Sequence, residues 1–342
     1  MIETTPERTG GGSDDAEPVL RVEDLHVTYE SARRNTKPVL AVDGVSFDLA
    51  AGDVLALVGE SGCGKTSIAR AILRLVKPSG GRIVFQGKDI TTTSPKELRP
   101  IRADMQMVFQ DPYESLDARQ TVFDLVAEPL AIHGRAPGKE ERRAAVLSAL
   151  ERAGLHPPAE IAKRYPHHLS GGQRQRVALA SAMVLEPSLV VADEPVSMLD
   201  VSLRAGILRL MLELRERRNL AYLFITHDLS LAWVVADRIA VVYLGRIVEI
   251  GPAAEVIGSP RHPYTKALVS VIPVPEAGAI EEQIVLQGET PSARNVPPGC
   301  RFHPRCWRYE ALGRPEACTT RDPALERGVA CHFPLEEEEG TA

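Results

Sequence analysis

The feature that most constrains the fold of this chain is a five-residue apolar run that leads directly into a glycine-rich loop. Residues 54–58 read VLALV, without a polar face, which is typical of a central strand buried on both sides. The loop GESGCGKT at residues 59–66 fits the spacing G-x-x-x-x-G-K-[ST], and helical spacing begins at Thr66. Strand, glycine loop and helix in this order predict a phosphate-binding site in an α/β domain.

Each residue type in the loop suits that chemistry. Glycines let backbone N–H groups approach phosphate oxygens, and the helix N-terminus adds positive potential. We expect Lys65 to pair with β- and γ-phosphates and Thr66 to offer its hydroxyl to Mg²⁺. The predicted nucleotide-binding residues here are Gly59, Glu60, Ser61, Gly62, Cys63, Gly64, Lys65, Thr66 and Ser67. An ordinary glycine-rich turn is the alternative, and Cys63 is interpreted as a small filler rather than a redox centre.

A second apolar run, LVVA at residues 189–192, ends in Asp193 and Glu194. The carboxyl end of a parallel strand is where ligands bind in such sheets. We expect Asp193 to hold Mg²⁺ through water and Glu194 to polarise the attacking water as a general base. An acidic pair is more commonly just solvated, but this one follows a buried strand in a chain with a phosphate loop.

The chain is long enough for about two domains, and its composition is that of a globular protein. Its formal net charge of −6 makes it a poor candidate for a protein that coats nucleic acid. No apolar stretch approaches the length of a membrane span, and the N-terminus lacks the apolar segment of a signal peptide. We therefore expect a cytoplasmic protein whose role at any membrane depends on a partner.

Strand and helix patterns alternate along most of the chain, which predicts a mostly parallel sheet covered by helices. Residues 1–18 are predicted to be a disordered leader, and residues 19–257 the main domain. Residues from about 111 to 168 carry helical spacing and predict a helical insertion. A hairpin is predicted around Leu244 and Gly245. Residues 258–335 are Pro-rich and expected to be irregular with little core, and residues 336–342 form an acidic tail.

The segment LSGGQ at residues 169–173 predicts a second anion-binding helix end. Ser170 can cap the helix, Gln173 completes a capping box, and Gly171 and Gly172 leave the N-terminus accessible. One nucleotide cannot easily use both this end and the loop of the same chain. Two chains that face each other can.

Taken together, GESGCGKT, LSGGQ and LVVADEP resemble the nucleotide-binding subunit of ATP-binding cassette (ABC) transporters over residues 19–251. The resemblance implies a P-loop cassette with a mostly parallel sheet, an antiparallel β subdomain and a helical subdomain. It also implies that Tyr29 stacks on adenine, and that Gln110 contacts Mg²⁺ and a transmembrane partner. Asp200 falls in the D-loop, and His227 corresponds to the switch histidine at the γ-phosphate. Outside these motifs, Gln110 and His227 would be read as a surface amide and a core imidazole.

The implied mechanism is closure of two cassettes, head to tail, over two ATP molecules, each held between one phosphate loop and the opposite LSGGQ. Two departures from the family pattern are His168, where Glu is frequent, and DEPVSMLD in place of DEPTSALD. Neither removes a catalytic group.

Three further segments resemble the oligopeptide, dipeptide and nickel importers: FQDPYESLDAR, HPYTKAL at residues 262–268 and GCRFHPRC. They imply an ATPase at the cytoplasmic face of the membrane that powers peptide import, with nickel or another small solute as the alternative. The implied partners are two permease subunits, a second cassette (a paralogue or a copy) and, indirectly, an extracytoplasmic solute-binding protein, with no nucleic acid.

Other ABC proteins fit less well. DNA-maintenance ATPases carry long coiled-coil arms, but Gln110 and Ser170 are only 60 positions apart. Translation-associated proteins usually hold two cassettes, and this chain has one. The HPYTKAL segment argues against an exporter, and the presence of Glu194 and His227 against a non-enzymatic regulator.

Four cysteines lie near the C-terminus: Cys300, Cys306, Cys318 and Cys331. In a reducing cytoplasm such a group suggests metal ligation before disulfides. The spacing lacks the C-x₂-C pairs of structural zinc, whereas four thiolates suit a [4Fe–4S] cluster, which members of the resembled family with this pattern are reported to bind. Zinc and unligated or redox-reactive thiols are the alternatives, and His303 and His332 are further candidate ligands.

Overall fold

The computed structural model describes residues 17–30, 37–111, 116–272 and 283–335. Its strands are β1 (Leu20–Tyr29), β2 (Val39–Leu49), β3 (Val54–Val58), β4 (Gly80–Phe85), β5 (Lys88–Asp89), β6 (Met105–Val108), β7 (Leu189–Asp193), β8 (Ala221–Thr226), β9 (Arg238–Tyr243) and β10 (Arg246–Pro252). Its helices are α1 (Lys65–Ile72), α2 (Pro95–Arg102), α3 (Val122–Ile132), α4 (Lys139–Arg152), α5 (Pro158–Ile161), α6 (Gly171–Met183), α7 (Val201–Arg218), α8 (Leu229–Val235), α9 (Ala253–Gly258), α10 (Pro263–Val269), α11 (Trp307–Ala311) and α12 (Ala317–Thr320).

A six-stranded sheet in the order β10-β9-β3-β8-β7-β6 forms the centre of the fold. Every neighbouring pair is parallel except the hairpin of β9 and β10. All five residues of β3 are buried, as are those of β7, which explains their apolar runs. The predicted mostly parallel sheet is confirmed. Strand β6 was not predicted, because MQMV is short and its polar Gln106 interrupts the apolar pattern.

A second, antiparallel sheet has the order β2-β1-β4-β5, which confirms the expected antiparallel β subdomain. Strand β1 buries Leu20, Val22, Leu25 and Val27. The alternation shifts between Val22 and Leu25, where the register with β2 is irregular and Asp24 takes a positive φ of 47°. A bulge of this kind lets the strand twist and keep its apolar side chains on one face.

Helices α3, α4 and α5 lie within the predicted helical insertion. Val146, Leu150 and Ala153, which recur at helical spacing, are all buried. Helix α1 ends at Ile72, because Arg74 adopts a positive φ of 54° that stops the helix.

The part of the chain beyond residue 258 contributes more to the core than the sequence suggested. The expectation of an irregular segment missed helix α10. Tyr264, at its start, is fully buried and packs with Tyr243 and Phe302, with ring centroids 4.8 to 5.3 Å apart. Three aromatic rings at such distances add specific packing energy to their burial. The C-terminal segment thus completes the main hydrophobic core.

The start of α10 is built on two buried polar residues. The Glu249 carboxylate accepts the backbone N–H groups of Arg261 and His262 at 2.8 and 2.9 Å. The His262 imidazole Nδ1 in turn accepts the N–H of Tyr264 at 3.1 Å and caps the helix. Burial lowers the pKa of His262 to about 3, so the ring is neutral at physiological pH.

The predicted leader, apart from residues 17 and 18, and the acidic tail lie outside the described residues. Within the described ranges, no helix has both the length and the apolar character needed to cross a bilayer.

We expect His262 to make stability depend on pH. The unfolded chain protonates this histidine below about pH 6.5 and the folded chain does not, so the free energy of unfolding falls as pH drops. The loss approaches about 1.4 kcal/mol per pH unit between pH 6 and 4. Urea unfolding of the native chain and of His262→Asn, which retains a capping group, measures this term. Glu249 is present in both proteins, so a difference between their pH dependences reports on His262. The same pH dependence of the free energy of unfolding in both proteins would contradict the prediction.

Candidate active site

The glycine-rich loop joins β3 to α1 and closes around the side chain of Lys65. Lys65 is buried, and its Nζ donates hydrogen bonds to the carbonyl oxygens of Gly59 at 2.7 Å and Glu60 at 3.0 Å. Gly64 has a φ of 110°, and a Cβ there would lie 2.3 Å from the carbonyl oxygen of Ala41. Only glycine fits this position, because a side chain would clash with that carbonyl in a backbone conformation that other residues rarely adopt.

Thr66 and Asp193, both predicted to serve Mg²⁺, lie together although they are 127 residues apart. The Thr66 Oγ1 donates to Asp193 Oδ1 across 3.4 Å. Asp193 ends β7 and is buried, which raises its pKa, while the bond from Thr66 opposes the rise. A hydroxyl and a carboxylate side by side are the oxygen ligands that Mg²⁺ prefers.

The predicted catalytic residues converge on Glu194. The Gln110 Nε2 donates to one Glu194 oxygen at 2.9 Å, and the His227 Nδ1 lies 3.1 Å from the other. They come from the carboxyl ends of the neighbouring strands β6, β7 and β8, as expected of a ligand site in a parallel sheet. The three side chains therefore form one contiguous polar group directly beside Asp193.

Tyr29, at the end of β1, donates its hydroxyl to Ser67 at 3.2 Å, so the predicted adenine-stacking ring lies beside the start of α1. Cys63 is 1% exposed, and burial raises the pKa of its thiol, which agrees with a filler role.

The LSGGQ segment forms the predicted capping box at the start of α6. The Gln173 N–H donates to Ser170 Oγ at 3.3 Å, and the Ser170 N–H donates to Gln173 Oε1 at 3.1 Å. Gly171 and Gly172 lie against Leu199 and Leu203, on either side of Asp200, which occupies the N-cap position of α7. Ser170 and Gln173 thus bond to each other at the start of this second helix.

Sequence reasoning missed the C-terminal residues that contact the phosphate loop. The Tyr264 hydroxyl accepts the backbone N–H of Glu60 at 3.1 Å, and Arg305 forms an ion pair with the Glu60 carboxylate. These partners are more than 200 positions away in the chain, and neither belongs to a nucleotide motif. The HPYTKAL and GCRFHPRC resemblances include Tyr264 and Arg305, but neither resemblance pointed to the phosphate loop.

The four C-terminal cysteines are free thiols in one region, with Cys300 N–H donating to the Cys318 carbonyl at 2.9 Å. Burial raises the pKa of Cys300 to about 12 and of Cys331 to about 11, and the neighbouring thiols add to both shifts. Within the described ranges, however, no three His, Cys, Asp or Glu side chains are arranged to hold a metal ion. The donor set suits an iron–sulfur cluster, but its arrangement does not support the prediction.

Comparison with known proteins agrees with this geometry. The ABC transporter family profile matches residues 42–197, and the profile of the oligopeptide/dipeptide transporter C-terminal region matches residues 248–311. The chain is 46% identical to the oligopeptide transport ATP-binding protein AppF of Bacillus subtilis, covering 88% of this chain and 92% of that one. It is 45% identical to the di/tripeptide transport ATP-binding protein DppF of Pseudomonas aeruginosa, covering 92% and 98%.

The chain belongs to the ABC transporter ATP-binding family. It is therefore an ATPase, and the predictions of family, fold class and enzymatic activity are confirmed. Its fold is similar to the ATP-binding cassette MJ0796 in a post-hydrolysis state bound to ADP and Pi, with a TM-score of 0.61 and 29% identity over 68% of this chain and 98% of that chain. It is also similar to CbiO1 of Clostridium perfringens, part of the transporter complex CbiONQ, with a TM-score of 0.62 and 30% identity over 71% and 92%.

Replacing Glu194 by Gln is expected to lower the ATPase kcat at least about 100-fold while ATP binding persists, because the amide cannot accept a proton from water. Steady-state hydrolysis and equilibrium binding of a fluorescent ATP analogue measure the two effects. Glu151→Gln, on the exposed side of α4, is the matched control. Unchanged hydrolysis in Glu194→Gln would contradict the assignment.

Proposed function

We propose that this chain is the ATP-hydrolysing subunit that powers the import of oligopeptides or dipeptides through a membrane permease. The observation that carries the proposal is the match of residues 248–311 to the C-terminal region of oligopeptide/dipeptide transporters, beside a nucleotide site with a full set of motifs. The names of relatives covered over almost their full length, an oligopeptide and a di/tripeptide transport protein, support the same class of solute.

The site supports a direct division of roles in hydrolysis. Lys65 and the loop N–H groups bind the phosphates, and Thr66 and Asp193 hold Mg²⁺, the cofactor that neutralises phosphate charge. Glu194 polarises the attacking water. Gln110 and His227 contact the two oxygens of the Glu194 carboxylate, and we assign Gln110 to Mg²⁺ and His227 to the γ-phosphate. Hydrolysis then depends mostly on positioning and electrostatics.

The second anion-binding helix end at LSGGQ favours a partner cassette, because one nucleotide cannot easily use both this end and the phosphate loop of the same chain. Ser170, Gly171, Gly172 and Gln173, with Asp200 nearby, would complete the site of the opposing chain, which is either a copy or a paralogue. The other proposed partners are two permease subunits that hold the chain at the cytoplasmic face of the membrane. An extracytoplasmic binding protein acts indirectly by delivering the solute. Residues 19–257 form the cassette, and residues 258–335 the importer-type extension.

The function is tested by purifying the tagged chain with its partners from detergent-solubilised native membranes and reconstituting the complex in vesicles. We expect two polytopic permease subunits, and ATP-dependent uptake of labelled di- and oligopeptides that Glu194→Gln abolishes. Uptake of nickel without uptake of peptides would show that the transported solute is nickel rather than a peptide. Copurification of ribosomes or DNA-repair factors without a membrane protein would overturn the transporter assignment.

The four C-terminal thiols are, by our proposal, a ligand set for a [4Fe–4S] cluster. Their number and partial burial in one region of the chain support it, and their arrangement must change for a cluster to bind. Anaerobically purified protein is expected to contain iron and acid-labile sulfide, and Cys331→Ser to lower both. Absence of both from the native chain would contradict the proposal, and stoichiometric zinc would identify the alternative ligand.

A further inference from the structure

The Glu60 side chain, within the phosphate loop, is held by residues from the far end of the chain. Arg305 Nη1 donates to Glu60 Oε2 at 2.8 Å, and Arg305 Nη2 donates to Glu60 Oε1 at 3.1 Å, so the two side chains form a bidentate ion pair. Thr290 Oγ1 also donates to Oε2 and accepts a bond from Arg305 Nη1 at 3.1 Å. The three side chains close one hydrogen-bonded ring on the loop.

The surroundings make this ion pair stronger than an ordinary surface pair. The Arg305 side chain is only 9% exposed and that of Glu60 is 28% exposed. Burial by itself raises the pKa of Glu60, but the bonds from Arg305 and Thr290 outweigh it and hold the pKa below its usual value. The carboxylate is therefore ionised, with Arg305 as its main counter-charge and a smaller contribution from Lys65.

The backbone of Glu60 is fixed at the same time. Its N–H donates to the Tyr264 hydroxyl at 3.1 Å, and its carbonyl accepts from Lys65 Nζ at 3.0 Å. The C-terminal segment that supplies Arg305 is itself anchored, because Arg301 donates to the Leu244 carbonyl and to Asp43. The loop is thus held from outside at its second residue.

A carboxylate at this position has an electrostatic consequence. Phosphates bound in the loop carry several negative charges, and an unpaired carboxylate on the loop would repel them. A paired one would not, because the guanidinium cancels its charge at close range. The lysine that faces the phosphates also hydrogen-bonds the Glu60 carbonyl, so a shift of this residue moves the phosphate-binding groups.

We propose that Arg305 is a positioning residue for nucleotide binding, which neutralises Glu60 and fixes the phosphate loop from the C-terminal extension. The proposal rests on the assignment of residues 59–66 as the phosphate loop, and it does not depend on the transported solute. Arg305 acts on ATP only through Glu60, so it raises the affinity for nucleotide and takes no part in the chemical step.

The test compares the full-length chain with Arg305→Gln, Arg305→Lys and the double variant Glu60→Gln/Arg305→Gln. Arg305→Gln is expected to raise the KM for ATP roughly tenfold and to change kcat by less than about twofold. Arg305→Lys retains the charge and should recover most of the affinity. The double variant removes the unpaired carboxylate and should return the KM to within about threefold of the native value, although the ion pair is then absent.

Three controls separate this role from general destabilisation. Arg314→Gln removes a positive charge from the same extension, at an exposed pair with Glu310, and should leave KM and kcat unchanged. Thermal unfolding of every variant reports on folding, and Lys65→Ala, which should abolish ATP binding, tests the loop assignment itself. The proposal is overturned if the KM of Arg305→Gln for ATP is unchanged, or if the double variant binds ATP as weakly as Arg305→Gln. Loss of ATP binding in Lys65→Ala would still support the assignment of the phosphate loop. If Arg305→Gln misfolds, Arg305→Lys is compared with the double variant, which alone lacks the Glu60–Arg305 ion pair. A raised KM in the double variant but not in Arg305→Lys would overturn the proposed neutralisation of Glu60.

Discussion

Strand β3 hydrogen-bonds to parallel neighbours on both sides, β8 and β9, and this pairing determines where the chemistry of the molecule takes place. Val58, its last residue, is level with Thr226 and Val241. The glycine loop must therefore leave the sheet beside the residues that follow β8, and His227 is the first of these. On the far side of β8, Asp193 pairs with Ile225, one residue before that same edge. A set of backbone registers thus brings the loop lysine, the acidic pair and the histidine together.

Most residues of the candidate nucleotide site could be singled out because they lie in short motifs with a local physical cause. A lysine after a glycine loop, an acidic pair after a buried strand and a capping box before a helix are all recognisable within ten residues. The structure brings Thr66 to Asp193, and it brings Gln110 and His227, which only the family resemblance singled out, to Glu194. Sheet class and the helical insertion followed in the same way from apolar periodicity.

The parts that could not be predicted depend on contacts between distant segments. Strand β6 is four residues long, and it is a strand because β7 pairs with it rather than because of its own pattern. Tyr264 and Phe302 read as isolated aromatics in a Pro-rich stretch, and only the folded chain packs them against Tyr243. The four cysteines show the opposite case. Their grouping near the C-terminus suggested a metal site, but the described side chains are not arranged as one.

The ion pair between Glu60 and Arg305 joins residues separated by 245 positions, and this separation has a consequence for biosynthesis. A ribosome makes the loop, its lysine and the acidic pair at the end of β7 well before it makes Arg305. Domains of nascent chains fold from the N-terminus onward. For most of translation the emerging cassette therefore carries an uncompensated carboxylate in its nucleotide cradle and an open gap where Tyr264 and Phe302 will pack. By our proposal, a chain interrupted before residue 305 would bind ATP more weakly than the finished chain, without any separate quality-control device.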